Sequence, residues 1–482
     1  MEQNMTNRIP VKAHPYEHQQ KAYEFACRQF GLTGCDPPSS RGVALLMEMG
    51  TGKTLTTIAV AGRLYLNRKI TKMLIVAPLS ILGVWQEEFQ KFADFLYSLA
   101  VLNGTGSRKS ENLRQIPTNG LQVAVINYES AWRLEDELAD WGADLIVCDE
   151  GHKIKTHNIA ASKSMHRLGA RARYRMLLTG TIITNKAIDV FSPYKFLNPA
   201  VFGNSYYTFR NRYFDMTGYG LHTPVLKMNM AEELTQRIHS IAFRATKAEC
   251  LDLPETTEIV RMVLLEMETI NLYHDLVQDS MIQLGKGEVT ATNVLTRLLR
   301  LSQLTGGFLC EDGADRPTQV DSAKLTALAD IVDSAAQDGK KLVVIARFLP
   351  EIDAIRRTLE KKCINYSVIS GEIKDRDEQV RRFQQDPDVT VFVGQIATAG
   401  MGITLTAADT MVFYSLDYSM SNFEQAKARI HRVGQRNPCT YIYLVAAGTV
   451  DEKVLQALRD KADLARVLID EYRAGKNPFK AD

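Results

Sequence analysis

Short runs of apolar, often β-branched residues recur along the chain and alternate with segments whose apolar residues follow a helical spacing. Uninterrupted runs of this kind are typical of strands buried on both faces, as in a parallel sheet covered by helices. Strands that alternate with helices predict doubly wound α/β units. The predicted strands are Val43–Met47, Met73–Ala77, Val123–Ile126, Asp144–Cys148, Arg175–Leu178, Lys341–Ile345, Tyr366–Ile369, Val389–Val393, Thr410–Tyr414 and Thr440–Val445.

The predicted strands form two series, separated by a stretch from about residue 198 to 320 that is rich in aromatic and polar residues. Within this stretch, Glu266–Leu284 and Asn293–Leu304 have the apolar spacing of helices. A proline-containing break places the boundary between the two lobes within Glu249–Thr257. The predicted organisation is an N-terminal lobe, residues 1–250 with a helical insertion at about 198–245, and a C-terminal lobe, residues 251–482 with a helical insertion at about 262–318.

Composition excludes several classes of protein. The 482 residues are 45% hydrophobic and 24% charged, which is ordinary for a globular protein with a substantial core. A net charge of +2 argues against a histone-like protein but allows a local basic groove. The seven cysteines include no Cys-x-x-Cys pair, so we expect free thiols rather than a zinc ribbon. With a polar N-terminus and no membrane-length apolar run, an intracellular, cytoplasmic location is expected.

A glycine-containing segment follows the first predicted strand and precedes a helical pattern that starts at Leu55. Its glycines would let backbone N–H groups wrap a phosphate, and the helix start would add partial positive charge. Lys53 would reach the β- and γ-phosphates of ATP, and the Thr54 hydroxyl would bind Mg²⁺. Met47 stands where the full motif has glycine, and the alternative is a turn with a surface lysine. The predicted phosphate-loop residues are Met49, Gly50, Thr51, Gly52, Lys53 and Thr54.

Two adjacent carboxylates follow the predicted strand Asp144–Cys148, at the type of strand end where ligands bind in such sheets. Asp149 would hold Mg²⁺, and Glu150 would act as the general base that polarises the attacking water. His152 would couple the nucleotide site to the other lobe. An Asp-Glu pair alone is more often a solvated turn, but phosphoryl transfer requires both a phosphate loop and a metal-binding carboxylate.

Three polar residues near the C-terminus, Gln425, Arg429 and Arg432, have i, i+4, i+7 spacing and so would share one face of a helix. Such a stripe is normally solvated. In a second α/β lobe beside a phosphate loop, we instead predict that the two arginines are fingers that stabilise charge on the γ-phosphate. Hydrolysis would then require the lobes to close, which converts chemistry into movement.

Taken together, these segments resemble the Swi/Snf-type family of superfamily-two DNA translocases, from about His14 to Val454. The short chain is more similar to the compact members of bacteria and their viruses than to a eukaryotic remodeller. The segments that carry the resemblance are Ile75–Phe89, Asn127–Glu129, Asp149–Lys155, Leu177–Thr181, Phe196–Pro199, Leu251–Pro254, Thr398–Asp409 and Gln425–Gln435.

The resemblance implies two RecA-like lobes that use ATP and Mg²⁺ to move along double-stranded DNA. It implies that a glutamine upstream of the phosphate loop reads adenine; Gln19 is the best candidate and Gln20 its rival. No protein partner is indicated, and a monomer is the simplest expectation. Further residues implied by the resemblance are Gly402 and Gln425 for ATP, His152, Thr179, Gly180 and Thr181 for coupling, and Ser80, Arg347, Thr398 and Gly400 for DNA.

The sequence departs from the family pattern at positions that couple ATP to DNA, which are Ile182, Thr184, Thr404 and the segment Asp417–Met420. A strand-separating helicase and a nucleic-acid-stimulated ATP-binding clamp therefore remain alternatives to a translocase. Hydroxyls such as those of Ser80 and Thr398 are as often helix caps as phosphate ligands. One basic run could lie along DNA or form a solvated helix end, and it comprises Lys163, His166, Arg167, Arg171, Arg173 and Arg175.

Overall fold

The structure is a computed structural model, in which internal contacts divide the chain into two compact units. We call Met1–Asp252 the N-terminal unit and Leu253–Asp482 the C-terminal unit. The residues described are 8–33, 38–180, 187–217, 223–250, 253–286, 291–309, 317–371, 375–396, 403–460, 464–474 and 476–479.

The N-terminal unit is built on a seven-stranded sheet in the order β3-β4-β2-β5-β6-β1-β9, and every pair of neighbours is parallel. Its strands are β1 (Gly42–Met47), β2 (Lys72–Ala77), β3 (Tyr97–Val101), β4 (Leu121–Asn127), β5 (Leu145–Asp149), β6 (Tyr174–Thr179), β7 (Phe214–Thr217), β8 (Thr223–Leu226) and β9 (Ala242–Ala245). Its helices are α1 (Glu17–Gln29), α2 (Lys53–Leu66), α3 (Leu82–Phe92), α4 (Gly106–Arg114), α5 (Tyr128–Arg133), α6 (Glu135–Trp141), α7 (Ala160–Arg171), α8 (Phe191–Leu197), α9 (Pro199–Phe202), α10 (Tyr206–Tyr213), α11 (Ala231–His239) and α12 (Lys247–Cys250).

The core of the N-terminal unit lies on both faces of this sheet. Successive residues of a strand point to opposite faces. In β1, Val43 and Leu45 pack into one apolar cluster, whereas Ala44 and Leu46 pack into another. All six residues of β1 are buried, which explains why this strand is a continuous apolar run in the sequence. Burial on both faces fixes the position of the loop that follows Met47.

The C-terminal unit has a six-stranded sheet in the order β10-β17-β16-β13-β15-β14, again with parallel neighbours only. Its strands are β10 (Thr256–Val263), β11 (Phe308–Leu309), β12 (Thr318–Gln319), β13 (Leu342–Ala346), β14 (Tyr366–Ile369), β15 (Val391–Gln395), β16 (Thr410–Phe413) and β17 (Cys439–Ala446). Its helices are α13 (Met267–Lys286), α14 (Ala291–Thr305), α15 (Ala323–Gln337), α16 (Leu349–Lys361), α17 (Arg376–Gln385), α18 (Met420–Lys427), α19 (Val450–Arg459) and α20 (Leu464–Arg473).

Two parallel α/β units in tandem confirm the fold class expected from the sequence. The segment 198–245, expected to be a helical insertion, contains α9, α10 and α11, but it also contains the hairpin of β7 and β8 and the edge strand β9. The segment 262–318 contains α13 and α14 and one short antiparallel strand pair. Within the described ranges, no helix has the length and apolar character needed to cross a membrane.

Candidate functional site

The predicted phosphate loop joins the end of β1 at Met47 to the start of α2 at Lys53. Gly50 and Gly52 have φ angles of 86° and 90°, in the left-handed region that residues with side chains rarely adopt. Glycine at these positions lets the chain turn sharply and leaves the backbone uncovered by side chains. The loop therefore has the local geometry of an anion cradle at a helix start.

The start of α1 is fastened to this loop by two side chains that bond the same carbonyl. The buried Gln19 amide donates to the Thr51 carbonyl oxygen over 3.1 Å, and the buried His18 Nε2–H donates to it over 2.7 Å. A Cβ on Gly52 would lie 2.1 Å from Gln19 Nε2, so glycine is also required for this contact. Gln20 is exposed and bonds Glu24 instead, which favours Gln19 over its rival. His18 was missed by sequence reasoning, because a lone histidine beside Gln19 carries no distinguishing pattern.

Lys53 is the first residue of α2, and its ammonium group folds back over the loop. Its Nζ donates to the carbonyl oxygen of Met47 over 2.8 Å and, more weakly, to that of Glu48 over 3.4 Å. Thr54 follows it in the first turn of α2 and is half-buried. The strand, loop and helix thus occur in the order required for Lys53 and Thr54 to face a bound phosphate.

The acidic pair lies at the carboxyl end of β5, a central strand of the same sheet. The Asp149 carboxylate is buried and accepts hydrogen bonds from Trp85 Nε1 at 3.1 Å and from the Glu150 amide at 2.9 Å. The Tyr128 hydroxyl donates to the Asp149 carbonyl over 2.7 Å. Trp85 and Tyr128 thus position the strand end. Sequence reasoning gave neither a role, although both lie in segments that carry the family resemblance.

The pKa values of the two carboxylates are shifted in opposite directions. Burial, followed by the negative charge of Glu150, raises the pKa of Asp149 to about 7, against the opposing charge of Lys53. Burial also disfavours a charged Glu150, but the hydrogen bond to His152 and the charges of Lys53, His152 and Lys153 outweigh it and lower the pKa of Glu150. Glu150 therefore stays ionised at neutral pH, as a general base requires.

The donor set at this edge suits Mg²⁺ that is shared with phosphate oxygens. Among the described residues, no group of three or more His, Cys, Asp or Glu side chains could hold a metal ion alone. Mg²⁺ usually takes only one or two carboxylates and completes its shell with water and substrate phosphates. The pKa of Asp149 is raised by burial and by the negative charge of Glu150, and a bound cation would offset both effects. Asp149 and the Thr54 hydroxyl together therefore fit the ion.

Glu150 occupies a strained backbone conformation, with φ 51° and ψ 55°. It lies between the end of β5 at Asp149 and a 3-10 turn, Gly151–Ile154. The turn packs tightly on β6, since a Cβ on Gly151 would lie 2.3 Å from Leu177 Cγ. His152 Nδ1 lies 3.2 Å from Glu150 Oε2. The side chain predicted to couple the site is therefore in contact with the predicted base.

The other predicted coupling residues follow β6. Thr179 is buried at the end of this strand. A Cβ on Gly180 would lie 3.8 Å from the Met47 carbonyl oxygen, so Gly180 runs beside the start of the phosphate loop. Thr181 lies outside the described residues, as do Thr398, Gly400 and Gly402. Ser80 is in a 3-10 turn, Leu79–Ile81, shortly after β2, and its backbone position alone is described.

The predicted arginine helix is shorter than expected. Helix α18 ends at Lys427, so the expectation that Gln425, Arg429 and Arg432 share one helical face is wrong. Beyond the helix end, the Arg429 carbonyl accepts a tertiary hydrogen bond from the Leu405 amide, 3.0 Å. Arg429 is only 2% exposed, whereas Arg432 is half-buried and donates from Nη1 to the Ile403 carbonyl. Gln425 lies on α18 and its amide donates to Ser421 Oγ.

Arg347, a predicted DNA contact, is engaged within the C-terminal unit. It directly follows β13, and its guanidinium lies 3.8 Å from the centre of the Tyr418 ring. Its Nε lies 3.8 Å from Asp417 Oδ1, and its side chain is 16% exposed. The Tyr418 hydroxyl in turn bonds Ser302. The segment Asp417–Met420, where the sequence departs from the family, thus packs directly against Arg347.

Glu351 holds the backbone around Arg347. Its Oε2 accepts from the amides of Arg347 and Phe348 at 3.1 and 3.0 Å and from Ser415 Oγ at 2.5 Å. The residue is 1% exposed, and burial raises the pKa of Glu351 from 4.5 to about 7. A carboxyl that changes its protonation state near neutral pH therefore lies at the start of α16.

Because the pKa of Glu351 is higher in the folded than in the unfolded chain, its contribution to stability is full below about pH 4.5 and is lost as pH rises through about 7. We expect the free energy of unfolding of the C-terminal unit to fall across this window by on the order of 3 kcal/mol from this group. Urea unfolding of the wild type and Glu351→Gln at pH 5 and pH 8 measures it. The variant should lose this difference, whereas Asp353→Asn, an exposed change on the same helix, should retain it.

Two parallel α/β units, the first with a phosphate loop after β1 and an acidic pair after β5 of the same sheet, define a protein of the helicase-like class with two RecA-like lobes. The SNF2-related domain family matches residues 13–306, and the helicase conserved C-terminal domain matches residues 323–434. The chain belongs to the SNF2-related family.

Several curated relatives align with most of this chain. Chromodomain-helicase-DNA-binding protein 1-like of Danio rerio is 27% identical over 455 residues, which cover 90% of this chain and 42% of the relative. DNA repair and recombination protein RDH54 of Saccharomyces cerevisiae (strain JAY291) is 27% identical, with 89% and 51% covered. DNA repair and recombination protein RAD54-like of Drosophila pseudoobscura pseudoobscura is 26% identical, with 92% and 62% covered. The chain thus spans about half the length of these relatives.

A solved structure, the Sulfolobus solfataricus SWI2/SNF2 ATPase core in complex with dsDNA, is 27% identical to this chain. The match covers 97% of this chain and 95% of the solved one, with a TM-score of 0.46.

Proposed function

We propose that the protein is an ATP-dependent motor that hydrolyses ATP in the presence of Mg²⁺ and moves along double-stranded DNA. The observation that carries the proposal is the arrangement of Lys53, Asp149 and Glu150 at one edge of the N-terminal sheet in a chain of the SNF2-related family. The Lys53 charge lowers the pKa of both carboxylates, which supports a single site for the three groups. Phosphoryl transfer by such sites rests on positioning and electrostatic stabilisation.

Each residue at this edge has a distinct proposed role. Lys53 binds the β- and γ-phosphates, and the loop amides around Gly50 and Gly52 cradle them. Thr54 and Asp149 hold Mg²⁺, which neutralises phosphate charge when it is bound. Glu150 accepts the proton of the attacking water, and Gln19 recognises adenine.

The remaining roles concern communication between the units, which we propose are the two lobes of the motor, residues 1–250 and 251–482. His152, in contact with Glu150, transmits the state of the nucleotide site together with Thr179, Gly180 and Thr181. Arg429 and Arg432 act as arginine fingers, and Gly402 and Gln425 belong to the same ATP-binding surface. Such fingers are worth about 10³–10⁵ in rate in related chemistry.

Double-stranded DNA is the proposed track. The names of the relatives refer to DNA binding and DNA repair, which supports a DNA substrate. Ser80, Thr398 and Gly400 are the proposed phosphate contacts. Arg347 is a further proposed DNA contact. Its contribution to DNA binding should be smaller, because its guanidinium is already stacked on Tyr418. The described cysteines are free thiols, which fits a reducing, intracellular and cytoplasmic location.

A motor of this kind should displace a third strand from a DNA triplex in the presence of ATP, without separating a forked duplex. The assay measures release of a labelled third strand, with the non-hydrolysable analogue of ATP as control. Unwinding of the fork would identify a strand-separating helicase instead. DNA-stimulated ATP hydrolysis without either activity would identify a nucleic-acid-stimulated clamp and contradict translocation.

A further inference from the structure

A cavity of about 350 Å³ lies at the amino edge of the N-terminal sheet, opposite the edge that carries the phosphate loop. It is formed by α7 from Lys163 onward, the start of β6 and the chain around α8 and α9. Arg175, near the start of β6, is in register with Gly42 at the start of β1. Since β1 has six residues at about 3.3 Å each, roughly 20 Å of strand separates this cavity from the phosphate loop.

The cavity contains a buried arginine that is only partly satisfied. Arg175 is 7% exposed, and its Nη1 donates to the Gly169 carbonyl over 3.0 Å. Its buried Nε has no hydrogen-bond partner. Burial, followed by the charge of Arg41, lowers the pKa of Arg175 to about 10. A buried cation without a counter-charge is unfavourable. An anion bound in the cavity would supply the missing negative charge.

The other cations around the cavity leave an excess of positive charge. Arg167 is neutralised by Glu135, which it contacts with both Nε and Nη2. Lys163, Arg175 and Lys195 also line the cavity, and among the described residues none of the three is in an ion pair with a carboxylate. Lys195 Nζ donates to the Asn204 carbonyl over 3.0 Å. Three cationic side chains therefore converge without a counter-ion.

The histidine in this wall stays neutral. Burial, and the charges of Lys195 and Arg167 among others, lower the pKa of His166 to about 4, and its Nε2 lies 2.9 Å from the Ser192 carbonyl oxygen. Because a carbonyl can only accept, Nε2 carries the proton. The basic run expected to be a solvated helix end or a DNA contact is thus divided between a paired arginine, a neutral histidine and a buried arginine.

We propose that this cavity binds a small, free phosphate compound with at least two negative charges, such as pyrophosphate. Lysine and arginine are the side chains that bind phosphate groups best, and the guanidinium offers several donors to one group. A volume of about 350 Å³ is within the range of small-ligand sites. Arg175 is buried in the cavity. A small anion could reach it, whereas a continuous duplex backbone could not.

The test is calorimetric titration of pyrophosphate into the full chain in phosphate-free buffer. It is performed on Lys53→Ala, which disables the phosphate loop, so that binding at the cavity is observed separately. One binding event is expected. Adding Lys163→Gln and Lys195→Gln should weaken it by about tenfold or more, because two charge-assisted contacts are lost. Lys69→Gln, an exposed lysine close to the start of β2 and outside the cavity, is the matched control and should bind unchanged.

Two outcomes would overturn the proposal. One is that Lys53→Ala binds no pyrophosphate, or binds it equally with and without the two cavity substitutions. The other is that the cavity substitutions weaken binding of a 30-base-pair duplex but leave pyrophosphate binding unchanged, which would make the cavity a DNA contact. Circular dichroism and the melting temperature confirm that the variants are folded. Neither lysine is fully buried, so folding should persist.

Discussion

Replacement of Glu150 by glutamine should lower the maximal rate of ATP hydrolysis by about 10²–10⁴-fold, because glutamine cannot take a proton from the attacking water. Glutamine has nearly the same size and keeps an oxygen facing His152, so the strained turn at the end of β5 should be preserved. The affinity for ATP should therefore stay close to that of the wild type. Phosphate release at saturating ATP and duplex DNA gives the rate, and binding of a fluorescent ATP analogue gives the affinity.

Glu111→Gln is the matched control, since Glu111 is exposed on α4 and undergoes the same chemical change. It should hydrolyse ATP at the wild-type rate. Wild-type turnover by Glu150→Gln itself would show that another group activates the water, and the assignment of the base would be wrong.

Lys53→Ala should impair ATP binding, the step before hydrolysis. It should lower kcat/KM for ATP by about 10³-fold or more, because the phosphates lose their only lysine contact in the loop. The variant should also bind ATP weakly, unlike Glu150→Gln. The two substitutions together separate binding from chemistry. Nucleotide affinity and phosphate release, measured side by side for both variants, distinguish the two defects.

The comparison requires that Lys53→Ala still folds. In the structure, Lys53 Nζ bonds the carbonyls of Met47 and Glu48, and these oxygens would be left to water or a neighbouring donor. The melting temperature checks this, and Lys69→Ala provides an exposed lysine substitution in the same unit. If the folded variant bound ATP with wild-type affinity, the loop would not be the phosphate site.

Central strands of both sheets could be predicted from the sequence because burial on both faces requires a continuous apolar run, as in β1, β5 and β13. Of the four edge strands, β14 was predicted, whereas β3, β9 and β10 were not. Strand β3 is half-buried throughout, and β10 is exposed over most of its length, so neither needs such a run. The short strand β9, Ala-Phe-Arg-Ala, has no distinguishing pattern at all.

The phosphate loop and acidic pair were predictable because the residues that act together are adjacent in the chain. His18, Trp85 and Tyr128 act through contacts that only the folded sheet creates, so their spacing in the sequence does not show what they bond, although Trp85 and Tyr128 lie in segments of the family resemblance. The position of Arg429 just beyond α18 has a similar origin, since its carbonyl is bonded by the Leu405 amide of another segment. Arg175 belongs to a basic run that the sequence alone would place in solvent. It is buried because of packing that only the folded chain creates.

The shared carbonyl of Thr51 has a consequence for recognition of the base. A carbonyl oxygen has two lone pairs, and here His18 and Gln19 each use one. If Gln19 turns its amide toward adenine, the histidine still holds the loop in place. If Gln19 has the proposed role, it can release the loop to contact the base while the His18 bond keeps the Thr51 carbonyl in place.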